Sequence, residues 1–190
     1  MTESNLFNSI QSYGWVSIAI HWLSFLMAAF IFGIGLYMVE LTYYDTLYNV
    51  LPEWHKAVGL MLGVLTLIRL LWVAFSVTPA FEGESGLQAV LARLAHLLLY
   101  CFIIVLTFSG YIIVTADGSD LQLFGQAWLG ALFELSSDQA EWAGRAHRWI
   151  AYGFAALVVL HATAALYHHF FHHDNTLKRM LFPQSIENGD

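Results

Sequence analysis

His147-Arg148-Trp149-Ile150-Ala151-Tyr152-Gly153-Phe154-Ala155-Ala156-Leu157-Val158-Val159-Leu160-His161 is an apolar run closed at both ends by histidine. At 3.6 residues per turn, the 14-residue step between the two imidazoles is close to four whole turns and rises about 21 Å. Both rings therefore share one helix face at opposite depths of a bilayer. Two further apolar segments carry a histidine each, His21 within the first and His55 at the opening of the second.

Outward from that run, the 190 residues are 58% apolar and 11% charged, which is far from the balance of a soluble domain. Four stretches are long and apolar enough to span hydrocarbon: about Trp15–Tyr37, His55–Phe75, Leu91–Thr115 and Ala143–Phe170. Helices satisfy their own backbone hydrogen bonds in lipid, and no alternating ten-residue strands suggest a barrel. The expected fold is thus an all-α integral membrane protein, a four-transmembrane-helix bundle forming one domain over residues 1–182. Its helices are expected at about 15–39, 54–77, 90–115 and 142–172, with a short tail at 183–190.

A net charge of −7 offers no basic face for nucleic acid. A single cysteine, Cys101, excludes an intrachain disulfide, a zinc knuckle and covalent haem attachment through a Cys-x-x-Cys-His motif. The first 14 residues lack a basic n-region, so helix one is expected to serve as its own insertion signal. An even number of crossings puts both termini on one side. Arg93, Lys178 and Arg179 fall there, and Lys56, Arg145 and Arg148 fall opposite, so charge alone leaves the orientation open. Between helices three and four, Leu121, Phe124, Trp128, Leu132 and Leu135 follow a helical spacing. They read as a short interfacial helix, or as a loop that dips its aromatics among the headgroups.

Ionisable groups inside membrane segments are costly and point to function. With the N-terminus inside, His21, His96 and His161 lie at the inner level, and His55 and His147 share the outer one. Imidazole is a strong axial ligand for haem iron, and two of them favour electron transfer over binding of small ligands to iron. The layout therefore predicts two stacked haems, the outer one on His55 and His147 and the inner one on His21 and His161. Small residues follow these positions, Gly59 after His55, Ala151 after His147, Ala164 and Ala165 after His161, and would let a flat macrocycle approach. Gly59 and Gly63 also read as an ordinary Gly-x-x-x-Gly packing pair.

Arg69, 14 residues after His55, is aimed at the inner level, where it could pair with a haem propionate, orient a carbonyl ligand, or snorkel to the interface. His96 is an alternative inner ligand, a hydrogen-bond donor to a quinone, or a structural residue. His168, Asp174 and Lys178 are further quinone-site candidates at the inner end. The run His168, His169, His172 and His173 also contains i, i+4 pairs that could bind a divalent metal, although the wet end of helix four is the simpler reading. Should the donor be anionic, Lys56, Arg145 and Arg148 are the outer cations available to steer it, with Lys56 and Arg148 the favoured two.

Ile20-His21-Trp22-Leu23, His55-Lys56 followed by Arg69-Leu70, Ala95-His96 with Tyr100, His147, and Leu160-His161 through His168-His169 to Asp174-Asn175-Thr176-Leu177 together resemble the bacterial cytochrome b561 family, from about residue 12 to 182. These are small di-haem membrane cytochromes related to the cytochrome b subunits of nickel–iron hydrogenases. The resemblance implies a cytoplasmic-membrane protein with both termini in the cytoplasm, two non-covalent b haems on the histidines matching His21, His55, His147 and His161, and electron exchange with a quinone pool. Some members look like superoxide oxidases that pass an electron from periplasmic superoxide to ubiquinone. Another reading is the membrane anchor and electron acceptor of a larger periplasmic dehydrogenase or hydrogenase. A metal or proton transporter using the histidines without haem is a third. The outer Leu121–Leu135 segment, His172 and His173 do not match the family pattern.

Overall fold

A computed structural model describes residues 5–79 and 86–183. Four long helices follow one another: α1 (Trp15–Met38), α2 (Val50–Phe75), α3 (Gly86–Val114) and α4 (Ser137–Tyr167). A π-helical turn, His168–His172, extends α4, and a short 3-10 turn, Lys178–Met180, follows. All four helices are long and apolar enough to cross a membrane, as the sequence predicts. Apart from Pro183, the expected tail lies outside the described residues.

Three helices start earlier than their apolar stretches. α2 accommodates Pro52 in its first turn, where the missing N–H has no intrahelical acceptor to lose. α4 begins on a capping box in which the Ser136 hydroxyl accepts from Gln139 N and the Gln139 side chain accepts from Ser136 N. Such polar first turns emerge from the lipid, so hydropathy alone misses them.

α1 packs along α2, α2 along α3 and α3 along α4, whereas the α4 backbone meets α1 and α2 at isolated places at most. Side chains close the middle of the bundle. Ala28 of α1, Leu62 of α2 and Phe154 of α4 form a buried cluster, flanked by Ile31, Phe102, Leu106 and Val158. Phe154 stands seven residues after His147 and seven before His161, on the same face as both. Outward-facing Leu, Phe and Val side chains are widely exposed, as suits a protein whose solvent is lipid. Thr66, only 1% exposed, gives its hydroxyl proton to the Leu62 carbonyl at 2.8 Å, so its own oxygen is not left unpaired in the core.

Of the two readings of Leu121–Leu135, the interfacial helix is not formed. That segment instead forms a hairpin, β1 (Leu121–Leu123) against β2 (Gln126–Leu129). Phe124 and Gly125 turn it with φ of 51° and 78°, the left-handed pair that a tight two-residue hairpin turn requires. Leu121 and Leu123 alternate inward with the period of a strand and bury themselves against Ala57, Leu60, Tyr111 and Val114. The hairpin is fastened to α2 by Glu53, which accepts Phe124 N at 2.7 Å, and by Lys56, which donates to the Gln122 carbonyl at 2.9 Å. Its Gly130 carbonyl accepts the Tyr111 hydroxyl of α3 at 2.5 Å.

The first and last described residues lie together at the opposite end of the bundle, the inner end of the sequence reading. Asn8 donates to the Val77 carbonyl at 3.0 Å, and Trp22 Nε1 donates to the Met180 carbonyl at 2.6 Å.

Candidate functional site

The outer site is built from α2 and α4. The rings of His55 and His147 face each other with centroids 6.3 Å apart. They open on a cavity of about 250 Å³ whose walls are almost wholly apolar, with Gly59, Ala151, Leu106 and Lys56 on its sides and Ala28, Leu62 and Phe154 among its lining. Glycine is needed at two places for different reasons. A Cβ on Gly59 would meet nothing within 4 Å and would project into open space, whereas one on Gly63 would strike Thr107 Cγ2 at 2.6 Å. The expected Gly-x-x-x-Gly pair therefore divides its duties: Gly63 lets α2 and α3 touch, and Gly59 keeps room beside His55.

His147 Nδ1 lies 2.8 Å from the Ser109 hydroxyl of α3. That hydroxyl spends its own proton on the Leu106 carbonyl at 3.1 Å, so it receives the imidazole N–H, and Nε2 is left with its lone pair. His55 Nδ1 is buried without a well-formed hydrogen bond, against α1 where a Cβ on Gly35 would lie 3.3 Å away.

At the inner level α1, α3 and α4 bring together His21, His96 and His161. The His21 and His161 centroids are 6.4 Å apart, and those of His96 and His161 are 5.3 Å apart. Arg69 arrives from α2 as its spacing predicts, and its guanidinium lies 3.2 Å from His21 Nδ1 and 5.5 Å above the Tyr100 ring. A guanidinium can only donate, so in this arrangement the His21 proton sits on Nε2.

These distances test what could be held here. With a metal–nitrogen bond of about 2 Å and the ring centre about 1.2 Å beyond the nitrogen, two imidazoles on opposite sides of one iron have centroids about 6.4 Å apart. The His55–His147 and His21–His161 pairs fit that separation; His96–His161 is too close for it. The apolar cavity and the free space over Gly59 suit a flat macrocycle between α2 and α4. For His21 to ligate through Nε2, its proton would have to sit on Nδ1 and Arg69 would have to turn away from that atom.

Below the inner level the remaining candidates separate. His168 Nδ1 and Asp174 Oδ2 are paired at 2.6 Å, and Asp174 also accepts Thr176 N at 2.9 Å. Burial pushes the Asp174 carboxyl up, but the bonds from Thr176 and His168 outweigh it and hold the group below the usual carboxylate range. Lys178 is exposed and makes no ion pair among the described residues. No cluster of metal-ligating residues forms around His168, His169, His172 and His173 among the described residues. Tyr13, close to Arg69 and Arg179, has its phenol pushed up by burial despite both cations, so it stays a donor at neutral pH.

Of the two outer cations, Lys56 is paired with Glu53 at 2.5 Å. Arg148 is exposed and has no ion-pair partner among the described residues. Ser109, Phe154, Glu53 and Gly35 are site residues that the sequence reading did not single out. The available signal was depth: Ser109 is a hydroxyl at the His147 level of an apolar helix, and Phe154 lies midway between two histidines.

The family described as prokaryotic cytochrome b561 matches over residues 12–183. The chain belongs to that family. This cytochrome b561 is 40% identical over 183 residues to "Cytochrome b561 homolog 2" of Escherichia coli (strain K12), covering 96% of this chain and 97% of the relative. It is also similar to "Probable superoxide oxidase CybB" of Yersinia pestis, 28% identical over 176 residues, with 90% and 96% covered. A third relative, "Cytochrome b561 homolog 1" of Escherichia coli (strain K12), is 26% identical over 182 residues, with 93% and 97% covered. The chain is accordingly a membrane cytochrome of a prokaryotic b-type haem family and an electron-transfer protein of the inner membrane.

Proposed function

We propose that this cytochrome b561 carries two b haems, an outer one on His55 and His147 and an inner one on His21 and His161, and passes electrons from a periplasmic donor to ubiquinone, with both termini cytoplasmic. One observation carries the reading: two histidine pairs, stacked along α4 and joined by the Phe154 layer, have ring separations of 6.3 and 6.4 Å. Bound there, the iron porphyrins supply reversible one-electron carriage.

The chain's own residues do the rest. The imidazoles fix the two levels, Gly59 and Ala151 admit the ring, and the Ala28–Leu62–Phe154 layer excludes water between levels. At the inner end, His96, Lys178 and the His168–Asp174 pair are the groups placed to hold or protonate a quinone. Superoxide is the favoured donor, on the likeness to the Yersinia relative. The balance is then two superoxide, one ubiquinone and two protons giving two dioxygen and one ubiquinol. Arg148 is the exposed cation available for steering that anion, and Lys56, although paired, lines the outer cavity.

A pyridine haemochrome assay tests the reading on the wild type and on alanine variants of His21, His55, His96, His147 and His161. Two protohaems per chain are expected, with His96→Ala keeping both. Loss of one haem from His96→Ala but not from His21→Ala would reassign the inner ligand. A second reading, an electron-accepting membrane subunit of a larger periplasmic dehydrogenase or hydrogenase, draws on Phe124 and Trp128, which the hairpin leaves 56% and 64% exposed. Co-purification of a stoichiometric partner, with no reaction of the isolated chain toward superoxide, would select it.

A further inference from the structure

We propose that Ser109 is the positioning residue of the outer ligand pair: by accepting the Nδ1–H of His147 it fixes that ring's tautomer and rotation and raises the basicity of Nε2. The inference rests on the haem reading above. Nothing in the family's pattern of histidines requires a serine here; the assignment comes from a relay of two hydrogen bonds. His147 Nδ1 lies 2.8 Å from Ser109 Oγ, and Ser109 Oγ donates to the Leu106 carbonyl at 3.1 Å. The carbonyl matters. It engages the hydroxyl proton, so the oxygen faces the imidazole as an acceptor and the proton on His147 stays on Nδ1.

An accepted Nδ1–H lends a ligating imidazole some imidazolate character, which favours the ferric over the ferrous state. The partner across the cavity is held differently: His55 Nδ1 makes no well-formed hydrogen bond, and its polar neighbour of that kind is a weakly aligned Ile31 carbonyl of α1. The two outer ligands therefore take their support from different helices, and the well-formed bond is the one from Ser109 of α3 to His147. A Cβ on Gly110, the next residue, would stand 3.5 Å from His147 Cε1, an ordinary van der Waals contact, so the ring lies directly against α3.

The test compares purified wild type, Ser109→Ala and Ser109→Thr by haem-to-protein ratio, redox titration followed by visible absorbance, and electron paramagnetic resonance of the ferric state. In Ser109→Ala, both haems are expected to remain, one midpoint potential to move upward, the other to stay, and the g-values of one low-spin signal to change. Threonine keeps the hydroxyl and is expected to restore the wild-type values. Full haem content with both potentials and both signals unchanged in Ser109→Ala would overturn the proposal. If Ser109→Ala loses one haem, restoration of content and potential by threonine supports it, and failure of a normally folded threonine variant to restore either overturns it. Fewer than two haems in the wild type would instead refute the parent reading.

Discussion

His168 and Asp174 show how a residue-scale contact can be tested through a distant reporter. Asp174 is held below the usual carboxylate range in the folded protein. Its ionised form therefore stabilises the inner turn at every pH above the ordinary aspartate value of about 3.9, and that support is lost as pH falls through the lowered value. The turn leads into Met180, whose carbonyl receives Trp22 Nε1. The fluorescence difference between wild type and Trp22→Phe should show a transition in acid, below the ordinary aspartate range. Asp174→Asn should remove that acid transition and show the released signal already at neutral pH. Arg148 offers a second residue-scale test. If it steers superoxide, Arg148→Gln should slow stopped-flow haem reduction several-fold at low salt and flatten its ionic-strength dependence. Lys56→Gln should alter salt dependence less, because Glu53 already neutralises that ammonium, and should instead loosen the hairpin.

The helices themselves were legible because lipid imposes a simple rule of length and apolarity, which Trp15–Met38 and its three counterparts obey. The outer segment was not, because a periodicity carried by Leu121, Phe124, Trp128, Leu132 and Leu135 competes with a turn that only Phe124-Gly125 betrays. Two leucines alternating over three residues are too few to announce a strand before its partner is known. The Gly59–Gly63 pair was similarly ambiguous, since one spacing serves both close packing and an open pocket. Substitution separates the two duties. Gly63→Ala must push Thr107 aside and should cost about 1–3 kcal/mol of stability, seen as a lower thermal midpoint in detergent. Gly59→Leu meets no neighbour through its Cβ but extends into the cavity, so it should lower the haem-to-protein ratio while leaving helix content unchanged.

For the molecule as a whole, histidine depth was readable from helical rise, so the sequence anticipated which rings would meet: His55 faces His147, and His21 faces His161. It placed His96 at the level of His161 and gave it as an alternative ligand, but could not rank the three rings by distance or foresee that α3 would hold His147 through a serine, because helix rotation about its axis is settled by packing. The bundle divides into two storeys at Phe154. Removing His55 should therefore abolish one haem and leave the spectrum and potential of the other nearly intact, a result readable in a single redox titration. A partition of this kind also makes the scaffold modular over evolutionary time. On the proposed direction of transfer, remodelling of the outer chamber to suit a new reductant would leave the inner one undisturbed, so a lineage could change whom it takes electrons from without relearning where to deliver them.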